Sequence, residues 1–556
     1  MSQARPRAGA ASPPRPTPDW VRDAVFYEVQ VRAFFDSDGD GAGDLAGLTA
    51  RLDVLCDLGV DALWLLPFFP SPLRDDGYDV ADHCAVHPRY GTLDDFRRLV
   101  DAAHARGMKV VTELVVNHTS DTHPWFAAAR QAPPGAPERD FYVWSDDPHR
   151  FSDTPIIFTG SETSNWTRDP VAGAWYCHRF FAHQPDLNLN NPAVVDAVLG
   201  IMRFWLDLGV DGFRLDAAPY FCVREGTSNQ SLPETHAVIR RMRALADSYQ
   251  PPRVLMVEAN LPQAELNGYF DAGRGTHLAL DFPLLPRLFQ ALARQDAGPL
   301  HAHLATRTAP PGDGQWVTFA RNHDELTLAL LDPAEREELW CHYAPEAHSR
   351  VYLGIRRRLA PLLGNQPDRI ALMFFLLLTL PGTPIIYYGD EIGMGDAPDL
   401  PDRHGLRTPL QWDASAGAGF SVNPDAAPWP PVITSPEYGP ARVNLAAQRA
   451  DAHSLWHRLR RLIALRRAAP ALRAPTLCLL DTGTPAVLGY LRVAADGTTL
   501  LCLANLAATP RQGRIALPGG ARPRLIPLGP ESAPPPAADG SLLLPGHAGQ
   551  VYRLAP

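Results

Sequence analysis

The chain has 556 residues, of which 46% are hydrophobic and 20% are charged, and this composition excludes a collagen-like or largely disordered protein. At about 150 residues per domain, the length predicts three or four domains, or a barrel of about 250 residues with accessory domains. The formal net charge of −10 argues against a nucleic-acid-binding surface, which needs clustered positive charge, and favours a neutral or weakly polar substrate.

Three further features concern the compartment of the protein. The seven cysteines show no CxxC spacing, so we expect reduced thiols and a cytoplasmic location. Residues 1–19 are rich in Pro, Ala and Arg and contain no long apolar segment, which predicts a disordered tail and not a signal peptide. The longest apolar run, 371–380, ends before Pro381 and is too short to span a bilayer, so we expect no membrane contact.

From residue 24 onward, short apolar runs alternate with amphipathic helical stretches, as is typical of a parallel α/β fold. Eight such runs are found at 24–35, 60–67, 109–118, 210–217, 253–260, 277–282, 316–322 and 384–389. Most are nearly continuous in apolar residues, as expected for strands covered on both faces. Polar and acidic residues gather where the runs end, which is where a (β/α)8 barrel builds its active site. We therefore predict an α/β fold of the (β/α)8 TIM barrel type, with a doubly wound sheet as the alternative.

Two segments interrupt the barrel pattern. About 65 residues rich in Trp, Pro, Asp and Thr follow the third run, and this length predicts a separate inserted lobe. Beyond Pro475, short alternating strands with turn signals predict a C-terminal antiparallel β-sandwich. The predicted organisation is a tail at 1–19, a first barrel part at 20–118, an inserted domain at 119–185, a second barrel part at 186–475 and a β-sandwich domain at 476–556.

Carboxylates follow three of the predicted barrel strands. Arg214 and Asp216 lie two residues apart and share one face of the fourth strand, and an adjacent arginine keeps a carboxylate ionised, as a nucleophile requires. Glu258 ends the fifth strand, where desolvation would raise its pKa, as suits a general acid. Asp324 follows the seventh strand. Any one of these acids alone is better explained as a strand-end cap or a salt bridge, but three on one barrel favour an active site.

A pair of carboxyl groups at strand ends is suited to glycoside cleavage. In retaining enzymes one group protonates the leaving oxygen, while the other attacks the anomeric carbon from about 5–5.5 Å away. A covalent glycosyl-enzyme intermediate follows.

The loop 36–44 reads Asp-Ser-Asp-Gly-Asp-Gly-Ala-Gly-Asp, with carboxylates at alternate positions. Such spacing lets oxygen ligands surround one hard cation. We predict a structural Ca2+, with Mg2+ as a substitute and an empty acidic turn as the alternative. The candidate ligands are Asp36, Asp38, Asp40, Ala42 and Asp44. No organic cofactor is expected.

Four segments, at 116–118, 212–216, 257–260 and 322–324, resemble the signature regions of the α-amylase superfamily, glycoside hydrolase family 13. The resemblance implies that Asp216 is the nucleophile, Glu258 the acid/base and Asp324 the transition-state stabiliser. It further implies that Arg214 holds the nucleophile, and that His118 and His323 bind sugar hydroxyls.

The segment 74–79, Arg-Asp-Asp-Gly-Tyr-Asp, is similar to the glucose-pocket loop of the same family. By that resemblance, Tyr78 stacks on the sugar ring and Asp75 holds its far-end hydroxyls, which closes the pocket at one end.

Longer stretches, such as 180–188, 353–363 and 388–396, resemble one subgroup of the family, the trehalose synthases. This resemblance implies retaining intramolecular α-glucosyl transfer that interconverts maltose and trehalose, with minor hydrolysis to glucose. An α-glucosidase or transglucosylase acting on small α-glucosides is the alternative, and a catalytically inactive binding subunit is a third. The expected partner is a disaccharide substrate, and a homo-oligomer is left open.

Intramolecular transfer requires a pocket that excludes water while the freed glucose turns. The resemblance implies a gate over this pocket, and Glu325 and Arg403 are the candidates for it. Exposed loop charges without such a function are the alternative.

The resemblance also implies a second calcium between the barrel and the inserted lobe, bound by Asn117, Asp186 and the backbone oxygens of Tyr220 and Phe221. Val223 stands where the subgroup carries a glutamate, and the loss of one carboxylate predicts weaker binding. Glu113 also departs from the family pattern, which has aspartate at that position.

Overall fold

The structure is a computed structural model that describes residues 16–514, 524–528 and 541–555. Residues 1–15 of the predicted tail lie outside the described residues, and the first helix begins at Asp19.

The strands of the described residues are, in chain order, β1 Phe26–Val29, β2 Ala62–Leu65, β3 Lys109–Leu114, β4 Trp144–Ser145, β5 Trp166–Asp169, β6 Ala174–Cys177, β7 Gly212–Leu215, β8 Val254–Val257, β9 Leu278–Leu280, β10 Gln315–Phe319, β11 Leu326–Thr327, β12 Arg350–Val351, β13 Gly354–Ile355, β14 Thr383–Tyr387, β15 Cys478–Leu480, β16 Val487–Val493, β17 Thr499–Asn505, β18 Arg511–Arg514, β19 Arg524–Leu528, β20 Ser541–Leu544 and β21 Gly549–Ala555. The α-helices of these residues are α1 Asp19–Asp23, α2 Leu45–Leu58, α3 Leu93–Ala105, α4 Pro124–Ala129, α5 Pro192–Asp207, α6 Pro233–Ser248, α7 Gln263–Leu266, α8 Leu284–Arg294, α9 Gly298–Thr306, α10 Pro333–Tyr343, α11 Leu359–Leu362, α12 Pro367–Thr379, α13 Leu445–Ala450 and α14 Leu455–Ala468.

Eight parallel strands close into a barrel in the order β1-β2-β3-β7-β8-β9-β10-β14, with β14 pairing back to β1. The predicted (β/α)8 barrel is confirmed, and each of the eight predicted runs contains part of one barrel strand. The strands are short and almost wholly buried, as their continuous apolar sequences require. Gly212 allows close packing in this wall, because a Cβ there would lie 2.5 Å from the backbone oxygen of Val254.

Two small sheets stand outside the barrel near the carboxyl ends of its strands. The segment between β3 and β7 carries an antiparallel sheet in the order β4-β6-β5. The segment between β10 and β14 carries a second antiparallel sheet in the order β11-β13-β12, which the sequence did not predict because its strands have only two residues each.

The C-terminal part forms antiparallel sheets, as predicted, in the orders β15-β16-β17-β21-β19 and β18-β20. Side chains of this part pack on α12 of the barrel, where the Tyr490 hydroxyl and the Thr379 hydroxyl lie 2.5 Å apart. All seven cysteines lie in the described residues and carry free thiols. None of the described helices is long and apolar enough to cross a membrane.

Candidate active site

The buried guanidinium of Arg214 holds two of the predicted catalytic carboxylates. Its Nη1 lies 2.6 Å from Oδ1 of Asp216, and its Nη2 lies 2.5 Å from Oε2 of Glu258. Asp216 follows β7 and Glu258 follows β8, two adjacent and parallel strands, so their side chains emerge at the same rim of the barrel. Ala217, directly after Asp216, has a φ of +50°, a conformation that non-glycine residues adopt at strained functional turns.

Asp324 is held by two other arginines. Its Oδ1 accepts hydrogen bonds from Nη1 of Arg403 at 2.7 Å and from Nη2 of Arg407 at 2.8 Å. Arg407 also donates to Asp76 at 2.7 Å. Sequence analysis missed Arg407 as a site residue, although it lies only four residues after the gate candidate Arg403.

One pocket brings together the three predicted catalytic acids and most of the predicted sugar-binding residues. The predicted residues that line it are Asp75, Tyr78, His118, Asp216, Glu258, Asp324, Glu325 and Arg403. Arg214 and His323 are not among the lining residues, because they are buried behind the wall with exposed fractions of 0% and 1%.

His323 holds Tyr78 in place from behind. The two rings are stacked with centroids 5.3 Å apart, and Nε2 of His323 lies 2.7 Å from the Tyr78 hydroxyl. Nδ1 of His323 lies 2.6 Å from Oε1 of Glu28. Both ring nitrogens therefore have protein partners, so His323 orients Tyr78, and the structure does not present it to the pocket as the sequence predicted. His118 lines the pocket while its Nε2 lies 3.2 Å from the Tyr78 backbone oxygen.

Two further buried acids, Glu28 and Glu113, support the site from inside the barrel. Glu113 accepts a hydrogen bond from Arg214 at 2.8 Å and another from the Trp64 indole at 2.8 Å. Glu28 also accepts the backbone N–H of His323 at 3.0 Å. Sequence analysis noted Glu113 only as a departure from the family and missed Glu28. An acid inside a mostly apolar strand was the available signal.

The predicted gate residues do not form a direct pair. Among the ion pairs of the described residues, Arg403 contacts Asp75 at 3.1 Å, Asp324 at 2.7 Å and Asp402 at 3.3 Å. Glu325 lies in the same pocket wall, with its buried Oε2 lacking a hydrogen-bond partner among the described groups. Arg403 therefore links Asp75 to Asp324 within the pocket wall instead of meeting Glu325.

Burial sets the protonation of the catalytic acids. It raises the pKa of Asp216 to about 6, against the lowering effect of Arg214. Burial likewise raises the pKa of Glu258 to about 7, again opposed by Arg214. Burial acts in the same direction on Asp324, but the neighbouring His323 and the guanidiniums of Arg403 and Arg407 overcome it and hold the pKa of Asp324 well below the ordinary value. Between these two pKa values, Asp216 is ionised and Glu258 carries a proton, so one cluster holds both a nucleophile and an acid.

The predicted metal loop brings three carboxylates together. Ligand oxygens of Asp36, Asp38 and Asp40 lie within 4.8 Å of one another, a donor set that suits a hard divalent cation. Asp44 is placed differently, because it caps α2 by accepting the Gly47 N–H at 2.7 Å and also accepts the Ser37 N–H at 2.7 Å. Ala42 is buried in the same loop.

The residues of the predicted second cation site fit a divalent cation less well. Asn117 donates to Oδ1 of Asp186 at 3.1 Å, so these two are brought together. Asp186 is the single carboxylate of the predicted set. The positive charge of Arg179 acts on this carboxylate, and the guanidinium carbon of Arg179 lies 4.8 Å from the centroid of the Tyr220 ring. A nearby guanidinium disfavours a second cation, and Val223 adds no ligand. Phe221 is buried beside Tyr220.

A parallel barrel with three acids, a guanidinium cluster and an aromatic-walled pocket at the strand ends defines an enzyme that acts on a small carbohydrate. Residues 29–474 match the catalytic domain of the α-amylases. The chain belongs to this family, glycoside hydrolase family 13.

Two relatives and one solved structure narrow the reaction class. The chain is 49% identical over 511 residues to the trehalose synthase/amylase of Mycobacterium tuberculosis, covering 91% of this chain and 84% of that one. It is 51% identical over 492 residues to the trehalose synthase of Thermus thermophilus, covering 88% of this chain and 51% of the relative. The crystal structure of the trehalulose synthase of Pseudomonas mesoacidophila matches with a TM-score of 0.78 and 29% identity, covering 97% of this chain and all of the other. These similarities support an enzyme of α-glucosyl transfer and isomerisation.

Proposed function

We propose that the enzyme interconverts maltose and trehalose by retaining, intramolecular α-glucosyl transfer, with minor hydrolysis to glucose. The observation that carries the proposal is the cluster in which one guanidinium, that of Arg214, contacts both Asp216 and Glu258. Adjacent corners of a single guanidinium are compatible with the separation of about 5–5.5 Å between the carboxyls of a retaining pair.

In the first half of the reaction, Glu258 donates its proton to the oxygen that joins the two glucose units. A carboxylate oxygen of Asp216 attacks the anomeric carbon, the bond to the protonated oxygen breaks, and a glucosyl ester of Asp216 forms. Asp324 faces the same pocket as a fixed negative charge, which stabilises the positive charge that develops on the ring.

In the second half, the freed glucose turns so that its own anomeric hydroxyl approaches the ester. Glu258, now a carboxylate, takes the proton of that hydroxyl while its oxygen bonds to the glucosyl carbon and Asp216 leaves. The product is the 1,1-linked disaccharide, and the reverse sequence regenerates maltose. Water that reaches the ester instead yields two glucose molecules.

The fixed polar wall around Asp75 supports a substrate with one terminal glucose unit. Asp75 accepts hydrogen bonds from Arg403 at 3.1 Å and from Gln184 at 2.8 Å, so a fixed polar group ends the pocket. A glucose unit fits against such a wall, whereas the continuous chain of a polysaccharide would need an open cleft.

The test is to incubate the purified enzyme with maltose and to separate trehalose from glucose over time. Trehalose as the main product, approached from either disaccharide to the same ratio, supports the proposal. Glucose alone, or glucosides of added acceptors, would favour the α-glucosidase or transglucosylase instead.

We further propose that one structural Ca2+, replaceable by Mg2+, binds Asp36, Asp38 and Asp40, and that the protein works in the cytoplasm with its thiols reduced. The close approach of the three carboxylates supports the ion, which would hold the loop that precedes α2. The free cysteines agree with a reducing compartment.

A further inference from the structure

Two aromatic rings join separate segments at the edge of the active-site pocket. Phe158, which belongs to the segment between β3 and β7, lines the pocket and is 8% exposed. Its ring is stacked on that of Tyr352, with centroids 4.5 Å apart and planes inclined by 19°. Tyr352 belongs to the segment between β10 and β14, so the stack connects two parts of the chain that are nearly 200 residues apart.

The stack also touches the charged end of the pocket. The guanidinium carbon of Arg403 lies 5.6 Å from the centroid of the Phe158 ring, within the range of a cation–π contact. Burial raises the pKa of the Tyr352 hydroxyl, and the positive charge of Arg403 opposes this shift. Tyr352 therefore lies beside the pocket and is not a distant surface residue.

The backbone at Tyr352 is in a conformation that a tyrosine rarely adopts. Tyr352 and Leu353 form the two-residue turn between β12 and β13, and the φ of Tyr352 is +50°. Glycine or asparagine is the usual residue at a positive φ in such a turn, and a bulky side chain there is an outlier. Strain of this kind is often found where a residue serves a functional site.

The turn is fixed to the segment that carries the catalytic Asp324. Strand β13 pairs with β11, which begins two residues after Asp324. A Cβ at Gly354 would lie 2.5 Å from Cγ of Glu325, so the hairpin packs directly on that side chain. Separation of Phe158 from Tyr352 would thus open the pocket beside Glu325.

We propose that Phe158 and Tyr352 form an aromatic clasp over the pocket, and that Tyr352 is a positioning residue that sets the ratio of transfer to hydrolysis. The clasp keeps the freed sugar next to the Asp216 ester while it turns, and it slows the entry of water and of external sugars. This inference rests on the proposed function. It assigns the closing contact to an aromatic pair, whereas the sequence had suggested the charged pair Glu325 and Arg403.

The experiment compares Tyr352→Asn with the wild-type enzyme on maltose in the presence of ¹³C-labelled glucose. Asparagine removes the ring but accepts a positive φ, so the melting temperature should not fall. We expect the hydrolysed fraction and the label found in disaccharide each to rise about 2- to 12-fold, the factor that corresponds to the loss of one aromatic pair.

Two control variants distinguish the effect of losing the aromatic ring from the effect of changing the turn. Tyr352→Phe retains the stack and should retain the wild-type partition between transfer and hydrolysis. Leu353→Ala changes the exposed neighbour in the same turn, whose side chain is 45% exposed, and should also leave the partition unchanged.

An unchanged partition and label content in a folded Tyr352→Asn enzyme would overturn the clasp, and so would a Tyr352→Phe enzyme that behaves like Tyr352→Asn. If the wild-type enzyme makes no trehalose from maltose, the proposed function is wrong. Even then, label entering any α-glucoside reports access to the glucosyl-enzyme, and equal entry in wild type and Tyr352→Asn would reject the clasp independently.

Discussion

At the scale of single residues, the two raised pKa values predict the pH dependence of the reaction. The nucleophile must be deprotonated, and because burial raises the pKa of Asp216 to about 6, activity is lost as the pH falls through that value. The acid must be protonated, and because burial raises the pKa of Glu258 to about 7, activity is lost as the pH rises through that value. We expect a bell-shaped profile of kcat/KM for maltose, with its maximum between these two values.

A substrate whose leaving group needs no proton provides the control. With α-glucosyl fluoride, the alkaline limb of the profile for the first step should disappear, while the acid limb due to Asp216 remains. An alkaline limb that persists with the fluoride would mean that a group other than Glu258 controls it.

Arg407 is a residue whose function the structure reveals through its contacts with Asp324, Asp76 and the His323 backbone oxygen at 2.8, 2.7 and 2.9 Å. Without Arg407, the buried negative charge of Asp324 keeps the hydrogen bond from Arg403 but loses the one from Arg407. A hydrogen bond to a charged group contributes about 1.5–3 kcal/mol. We therefore expect Arg407→Ala to lower kcat/KM for maltose by about 10- to 150-fold, as measured by steady-state kinetics.

The matched control for this variant is Arg442→Ala, which changes an exposed arginine and should have no effect on kcat/KM. An Arg407→Ala enzyme as active as the control would show that Arg403 alone is sufficient to orient Asp324.

At the scale of secondary-structure elements, the sequence predicted most reliably what is local. Each barrel strand is a short apolar run, and the catalytic acids stand directly at the ends of such runs, so both could be identified from neighbouring residues. The contacts of Glu28 with His323 and of Arg407 with Asp76 join positions 295 and 331 residues apart, and no local pattern encodes them. The sheet of β11, β12 and β13 was missed for another reason, because its strands of two residues each are too short to show an alternation.

The loop before α2 is an element whose stability we expect to depend on a cation. Without an ion, the close carboxylates of Asp36, Asp38 and Asp40 repel one another. Ca2+ at about 100 times its Kd would stabilise the folded protein by about 2.7 kcal/mol. We expect chelation with EDTA to lower the melting temperature, and both Ca2+ and, at higher concentration, Mg2+ to restore it.

The control variants for the loop differ only in which carboxylate is neutralised. Asp38→Asn should remove most of the response to EDTA, whereas Asp94→Asn, at an exposed position on α3, should retain it. A response to EDTA that is equal in both variants would place the ion elsewhere.

At the scale of the whole molecule, a buried arginine, Arg492, attaches the C-terminal sheets to the barrel part of the chain. Arg492 on β16 donates to the backbone oxygens of Thr379, Leu472 and Ala474. Arg466 on α14 also donates to the Leu472 oxygen, at 2.9 Å. Burial lowers the pKa of Arg492 to about 10, so the guanidinium is still charged at neutral pH. The hydrogen bonds that it donates to the three carbonyl oxygens offset the cost of burying this charge.

This attachment predicts that barrel and sheets unfold together. Arg492→Met keeps most of the side-chain volume but leaves the backbone oxygens of Thr379 and Ala474 without their arginine donor, whereas the Leu472 oxygen keeps that of Arg466. Each unsatisfied buried acceptor costs about 1–3 kcal/mol. We expect calorimetry to show one transition for the wild-type protein, and for Arg492→Met a lower melting temperature with the C-terminal sheets unfolding first. Arg511→Met, at an exposed arginine of β18, is the control and should melt like the wild type. If Arg492→Met also melts like the wild type, the hydrophobic contacts of α12 with the sheets are sufficient to couple them, and the arginine is not the link.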